Sequence, residues 1–407
     1  MPQLSDVPFA KAWLDAFPAA DRETARALVD EILLVGADEF KRGLTALLDQ
    51  IIHDHSKGRP SALYVEREVA TDADDNALPL FDGMRRGRAI GDGPNPVPFD
   101  PKKPEIGSEG LLANFVTSYC RLHTPKALNH PGPDALRKQR AGPIVIVADF
   151  IGSGNRVWEM LEAFRAVATI RSWRSYGFVE FFVVAYSGTE EGMRLVQSSR
   201  LRPTVLTVAG CPTILGAFRG PVRDAINHLC RTYPKGHSKP LGYGWAGALI
   251  AFEHGIPNNA PPILHSERKG WVPLFRRRST VEAIADFPPT NAEEIADRAS
   301  HLLRVKNAQR FLVDARGRRW IHTMLVLAAI DGGARTAAAV SAQTWLHLLA
   351  VREILAFTQL ARWTKNTGAL TKLGRAELQR LRKRRARTPV LPKPNKPFYY
   401  PTQLRAR

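Results

Sequence analysis

The stretch from Asp149 to Arg156 carries the most chemistry in the chain: a carboxylate, then Gly152, Ser153, Gly154, Asn155 and Arg156. Two glycines let the backbone turn sharply, and Ser153 offers a hydroxyl. A helix beginning there presents unpaired N–H groups, and together these make an anion cradle suited to a phosphate. Asp149 would then accept hydrogen bonds from a sugar's hydroxyls, or hold a Mg²⁺ that accompanies a polyphosphate, which makes it the candidate catalytic residue. A purely structural reading stands beside this one, because strand-to-helix turns also use glycine and an acidic residue for backbone reasons.

The surrounding pattern supplies the elements such a loop needs. Pro143 to Val147 is a continuous apolar run, Asn155 to Thr169 is helix-periodic, and Phe178 to Tyr186 is again apolar. Thr189 to Arg200 reads as helix and Thr204 to Ala209 as a short strand. Strands alternating with helices predict a parallel sheet whose ligands bind beyond the carboxyl ends of its strands, so the turn after Val147 is the first place to look. Before it, residues 20 to 54 repeat apolar positions at helical spacing, with Asp21 a plausible N-cap. Residues 70 to 106, rich in Asp, Gly and Pro, read as a long loop.

The strand, carboxylate and Gly/Ser loop together resemble the phosphoribosyl-diphosphate loop of type I phosphoribosyltransferases. There an apolar strand ends in two acidic residues and a short loop wraps the 5′-phosphate. By that resemblance Asp149 matches the second acidic residue and Gly152 to Arg156 the phosphate wrap. Ala148 stands at the first acidic position, and Gly152 stands where several such enzymes carry an acidic general base. A narrower resemblance rests on Leu63 to Glu68, Gly107 to Phe115, Asp149 to Val157, Gly242 to Leu264 and Trp271 to Arg277. These segments look like the phosphoribosyltransferase-like domain of bacterial conflict systems, including effectors encoded beside retron reverse transcriptases. The resemblance implies a phosphoribosyltransferase-like fold in antiphage defence, with a ribose-phosphate or nucleotide ligand.

Two further segments bear on that pocket. Gly107 to Gly110 precedes an apolar helical run from Leu111, so Ser108, with Glu109 beside it, caps the helix or meets a second phosphate there. Ala246 to Phe252 reads as a buried strand, and Glu253, His254, Asn258 and Asn259 follow on a loop that either reaches the pocket rim or is an ordinary proline-stiffened turn. No H-E-x-x-H zinc site, nucleophile elbow or P-loop is present, which sets aside those hydrolase and NTPase classes.

The last third has another character. Residues 291 to 407 hold 23 Lys and Arg against 7 Asp and Glu, so they carry +16 of the formal +19. Concentrated charge of this kind displaces counterions from phosphates, although a solvated tail is the alternative. Ile321 to Ile330, Thr336 to Gln343 and Leu346 to Trp363 read as the helices of a helix-turn-helix unit. A hairpin tip at Thr364 to Ala369, then Leu370 to Gly374 and a helix from Arg375, resemble the end of winged-helix domains. Arg352, Arg362, Lys365, Lys372, Arg375, Arg382, Lys383, Arg384 and Arg385 are the candidate contacts to DNA or RNA. The apolar composition of Leu348 to Leu360 leaves a protein partner as the other reading.

At 407 residues the chain predicts more than one domain. The expected divisions are a helical segment over 1–60, the phosphoribosyltransferase-like domain over 61–290, a basic winged helix over 291–388 and a Pro-rich aromatic tail over 389–407. Cys120, Cys211 and Cys230 lack any C-x-x-C pairing, which fits a reducing cytoplasm. Neither an export signal nor an apolar run long enough to span a membrane is seen. The fold expected is thus α/β, a parallel sheet with flanking helices followed by a winged helix-turn-helix. The function expected is a defence effector or regulator, with Mg²⁺ as a cofactor of the bound phosphates and nucleic acid, or a reverse transcriptase with its msDNA, as partner. A non-enzymatic nucleotide-sensing transcriptional regulator and a nucleotide-salvage phosphoribosyltransferase are the alternatives.

Overall fold

The computed structural model describes residues 4–74, 76–96, 108–280, 292–303, 315–346, 348–365 and 367–383. The chain divides into two compact units, residues 2–290 and residues 291–407.

The first unit opens with α1 (Pro8–Asp15) and α2 (Ala19–Asp30), followed by β1 (Leu33–Val35) and α3 (Ala37–Asp54). Leu33 to Val35 therefore interrupts the helical reading of residues 20 to 54. Asp21 lies inside the first turn of α2, where Pro18 is the cap, and its carboxylate accepts from the Tyr233 hydroxyl. Next come β2 (Ser61–Val65) and a small hairpin, β3 (Met84–Arg85) and β4 (Arg88–Ala89), within the expected loop. The main sheet continues through α4 (Ser108–Leu122), β5 (Ala127–Asn129), α5 (Pro133–Lys138), β6 (Pro143–Ile151), α6 (Asn155–Ala166) and α7 (Ala168–Ser175). It closes with β7 (Glu180–Gly188), α8 (Glu190–Gln197) and β8 (Thr204–Gly210).

These strands form a five-stranded sheet in the order β5-β2-β6-β7-β8, every pair parallel. Continuous apolar runs build it because both faces are covered. On one face Met160, Leu161 and Phe164 of α6, Ile170 of α7 and Val196 of α8 pack over Ile144, Ile146, Val183 and Ala185. On the other lie α3 and α4. The Tyr186 hydroxyl donates to Glu39 of α3 at 2.7 Å. The strand order reverses between β2 and β6, and such a reversal opens a crevice at the carboxyl edge of an open parallel sheet.

After β8 the chain adds α9 (Ile214–Ala217), α10 (Gly220–Thr232) and β9 (Ile250–Phe252). The strand expected over Ala246 to Phe252 is thus only its last three residues, and it pairs in parallel with β1 rather than joining the main sheet. Leu14, Phe17, Leu28 and Val29 from the N-terminal helices share a second core with Ile226, Leu249, Ile263 and Phe275.

The second unit contains α11 (Ala292–Leu303), α12 (Ala315–Asp331), α13 (Ala337–Thr344), α14 (Leu348–Leu360) and α15 (Lys372–Lys383). Its core joins Leu303, Leu325, Val340, Val351, Leu370 and Leu378. Thr336 caps α13 by accepting from the Ala339 N–H, and a bridge between Thr364 and Leu370 closes the short wing. The last helix starts at Lys372, one turn before the expected Arg375, because the Thr371 hydroxyl accepts the Gly374 N–H and caps it.

Candidate functional site

Asp149 sits within β6 rather than in a turn after Val147, because Phe150 and Ile151 still pair with Ser187 and Gly188. The turn proper is Gly152 to Gly154, and α6 follows at once. Asp149 Oδ1 accepts the N–H of Phe150 at 2.7 Å, and Oδ2 lies 3.4 Å from His254 Nε2. The His254 ring is held by stacking on Phe252, centroids 5.0 Å apart, and by an edge contact with Phe40 at 5.3 Å. A residue of the small β1–β9 sheet's loop is thereby aimed at the carboxylate of the main sheet.

The loop glycines are required by packing. A Cβ at Gly152 would lie 2.1 to 2.4 Å from the side-chain amide of Asn259, and one at Gly154, where φ is +82°, would lie 2.4 Å from the Gly192 carbonyl. Asn259 is buried and donates to the Tyr243 carbonyl, while the Thr189 hydroxyl donates to that of Gly152. The space for a side chain at position 152 is therefore filled by an amide from another loop. Ser153 is half-buried, and its Oγ accepts the Asn155 N–H at 3.4 Å; Asn155 is exposed. What is left open for an anion is Ser153, Asn155 and the first turn of α6. Asn258 is exposed, and its carbonyl accepts from the Tyr243 N–H.

Arg156 does not stand beside that opening with its charge uncommitted. Its Nε lies 3.5 Å from Glu66 Oε1 and its Nη2 is hydrogen-bonded to Glu109. Glu66, directly after β2, lies in the Leu63 to Glu68 segment but is not among the site residues read from the sequence. Applying the strand-end rule to the apolar run Ala62 to Val65 would have found it, as it finds Asp149 after Val147. Burial pushes the Glu66 carboxyl up to about 8; Arg156 opposes the shift, and Asp149, Glu109 and Glu159 add to it. The helix expected from Leu111 already begins at Ser108, so Ser108 is a helical residue rather than the cap. Its side chain lies outside the described residues.

Beside β2, the Val65 N–H donates to His130 Nε2 at 2.9 Å. Burial, with Arg67 adding, lowers His130 to about 4, so the ring is neutral and its proton sits on Nδ1, toward Asn129 Oδ1. This histidine positions the strand end and is occupied in doing so. Among the described residues no group of three or more His, Cys, Asp or Glu side chains is placed to hold a metal ion. Asp149 offers one carboxylate with Oδ1 already engaged, which fits a resident cation poorly and a Mg²⁺ only as a passenger on ligand phosphates.

In the second unit Arg352, Arg362, Lys365, Lys372 and Arg375 are exposed. Arg382 is ion-paired to Asp331, Nη1 to Oδ2 3.2 Å. Lys383 ends α15 with its side chain outside the described residues, as are Arg384 and Arg385 altogether. On α14, Leu360 is 79% and Phe357 36% exposed.

Comparison with protein families matches residues 10–277 to the family described as PRTase-CE. Residues 324–406 match the one described as wHTH-PRTase associated. No curated protein and no solved structure matches the chain.

Proposed function

The chain belongs to the PRTase-CE family, and from that premise we propose that its α/β unit binds a ribose-phosphate-bearing ligand at the carboxyl edge of the main sheet while its winged helix engages nucleic acid, the two serving antiphage defence. The observation that carries the reading is the placement of Asp149. It lies at the strand-order reversal, three residues before the Gly152 to Gly154 turn that starts α6.

In this reading the Ser153 hydroxyl and the first N–H groups of α6 take the phosphate, whose charge the helix start favours. Asp149 accepts hydrogen bonds from ribose hydroxyls, and His254 acts as a positioning residue that fixes the direction of its carboxylate. Glu66, Arg156 and Glu109 hold β2, α6 and α4 in register around the crevice. Ligands with a diphosphate bring a Mg²⁺ of their own. The partner of the winged helix is DNA or RNA, including the msDNA of a neighbouring reverse transcriptase.

Isothermal titration with phosphoribosyl diphosphate and mononucleotides, with and without Mg²⁺, tests the site. Gly154→Val is unsuitable, since it breaks the turn itself. Ser153→Asp keeps a good residue for the start of a helix yet repels a phosphate, so binding should be lost while melting is unchanged. Asp149→Asn should weaken binding roughly 10-fold or more, the value of a charge-assisted hydrogen bond. Equal affinity in wild type and both variants places the ligand elsewhere. Pyrophosphate release then separates a transferase from a non-enzymatic sensor, a second reading favoured by Ala148, which is fully buried and leaves Asp149 as the single carboxylate of the pair.

A further inference from the structure

Because all five strands of the main sheet are parallel, every chain segment entering the sheet lies on one edge, the edge opposite Asp149. The five connections leading into the strands are residues 55–60, 123–126, 139–142, 176–179 and 198–203. Together they hold six Lys and Arg and no Asp or Glu. The preceding helices add Arg174 in the last turn of α7 and Lys138 in that of α5. Among the described residues the acidic ones at this edge include Asp49, 3.5 Å from His123, Asp54, paired with His53, and Glu180, paired with Lys57 at 3.6 Å. The opposite edge carries Glu66, Glu68, Asp149, Glu190 and Glu191 beside Arg67 and Arg156.

On the basic edge, at the turn into β7, stand two exposed aromatic rings. Tyr176 is 73% and Phe178 57% exposed, and the rings are stacked, centroids 5.8 Å and planes 25° apart. The turn presenting them is braced. Gly177 takes φ +70°, the Phe178 N–H donates to the Trp173 carbonyl, and Arg59 donates to the Phe178 carbonyl at 2.7 Å. Exposed Arg140 and Arg202 enter the strands on either side, β6 and β8. Exposed aromatic surface in water is unfavourable unless something covers it. Flat rings set among cations are the arrangement that takes unpaired bases on their faces and the phosphate backbone on the charges.

We propose that this edge, with Tyr176 and Phe178 as the stacking platform and Arg59, Arg140 and Arg202 as phosphate contacts, is a binding surface for single-stranded nucleic acid. It lies at the edge of the sheet opposite the ribose-phosphate site. Duplex DNA fits it poorly, because its bases are stacked on each other and offer the rings no free face.

The test uses the full chain and a short fluorescein-labelled oligothymidylate, read by anisotropy at several salt concentrations, with a duplex as comparison. Tyr176→Ala and Phe178→Ala should each weaken oligothymidylate binding at least about 5-fold, the lower end for one base stack removed. Arg140→Glu with Arg202→Glu should lower both affinity and salt dependence. All are surface changes, and melting temperature checks that each variant is folded. Photocrosslinking of a 4-thiothymidine oligonucleotide should modify the peptide containing Tyr176 and Phe178. Affinity unchanged in the aromatic variants, or crosslinks confined to residues 315–383, overturns the proposal. So does a change of oligomeric state in the aromatic variants, which would make the rings a contact between copies of the chain.

Discussion

Arg156 Nε, in the first turn of α6, lies 3.5 Å from Glu66 Oε1 at the end of β2, across the place where the strand order reverses. The same guanidinium is hydrogen-bonded to Glu109 at the start of α4. One cation therefore ties three elements together at the rim of the crevice. It does not keep Glu66 in the usual carboxylate range, because burial outweighs it.

The pH dependence follows from the sign of that shift. A carboxyl whose folded pKa exceeds its unfolded value stabilises the fold fully below the unfolded value of 4.5, and the contribution is lost as pH rises through about 8. The melting temperature should fall across that window at constant ionic strength. Glu66→Gln, neutral throughout, should flatten the fall, by up to a few kcal/mol at about 1.4 kcal/mol per unit. A wild-type profile parallel to that of Glu66→Gln would show that Glu66 ionises normally in the folded chain.

Ala148 gives a second outcome. By resemblance it stands where a sugar-binding carboxylate would be, but it is fully buried on β6 opposite Ala185, in the core with Ile146 and Ile151. Strand alternation turns it away from the face of its neighbour Asp149. Ala148→Asp should therefore place an unpaired charge in the core and cost several kcal/mol, seen as a large drop in melting temperature or loss of soluble protein. A variant that melts like wild type and binds phosphoribosyl diphosphate more tightly would show that this position reaches the ligand.

The parts of the fold that could be read from the sequence are those with a strong local pattern. β6, β7 and β8 are predominantly apolar because helices cover both faces, and the Gly-Ser-Gly turn with its helix is contained within a few residues. β1 escapes such a reading. Three residues between two helices have no period of their own, and their partner Ile250 to Phe252 is more than 200 positions away. The site behaves likewise: Asp149 and Ser153 are visible locally. His254 on Asp149, Asn259 on Gly152 and Arg156 on Glu66 are meetings of distant segments that spacing cannot reveal. Averaging charge over residues 1–290 also hides the polarity of the sheet edges, which exists only once all strands run the same way.

The contact between Gly152 and Asn259 can be measured by coupling. Gly152→Ala alone pushes a methyl into the amide of Asn259 and should destabilise the protein by about 1 to 3 kcal/mol. In an Asn259→Ala background the amide is gone, and the same change should cost less, leaving an interaction energy of about 0.5 to 3 kcal/mol in a double-mutant cycle of chemical unfolding. Additive effects would mean that the loop relaxes away from Asn259 without strain.

The last prediction separates the cations of the winged helix by what already holds them. Lys365, on the wing, and Arg375, in the first turns of α15, are exposed, whereas Arg382 is paired with Asp331. Cations that neutralise phosphates release counterions, so removing one such cation should lower the slope of log affinity against log salt by about 0.9 on a duplex. Lys365→Ala and Arg375→Ala should each show that decrease and weaken binding to unrelated sequences alike, since backbone contacts position without specifying. Arg382→Ala should leave the slope unchanged and cost only about 0.2 to 1 kcal/mol of stability, the worth of a partly exposed ion pair. A slope that falls equally with Arg382→Ala would mean that this arginine leaves Asp331 for a phosphate. If none of the three changes alters duplex binding, the exposed Leu360 and Phe357 of α14 become the working face of the winged helix, and its partner is a protein.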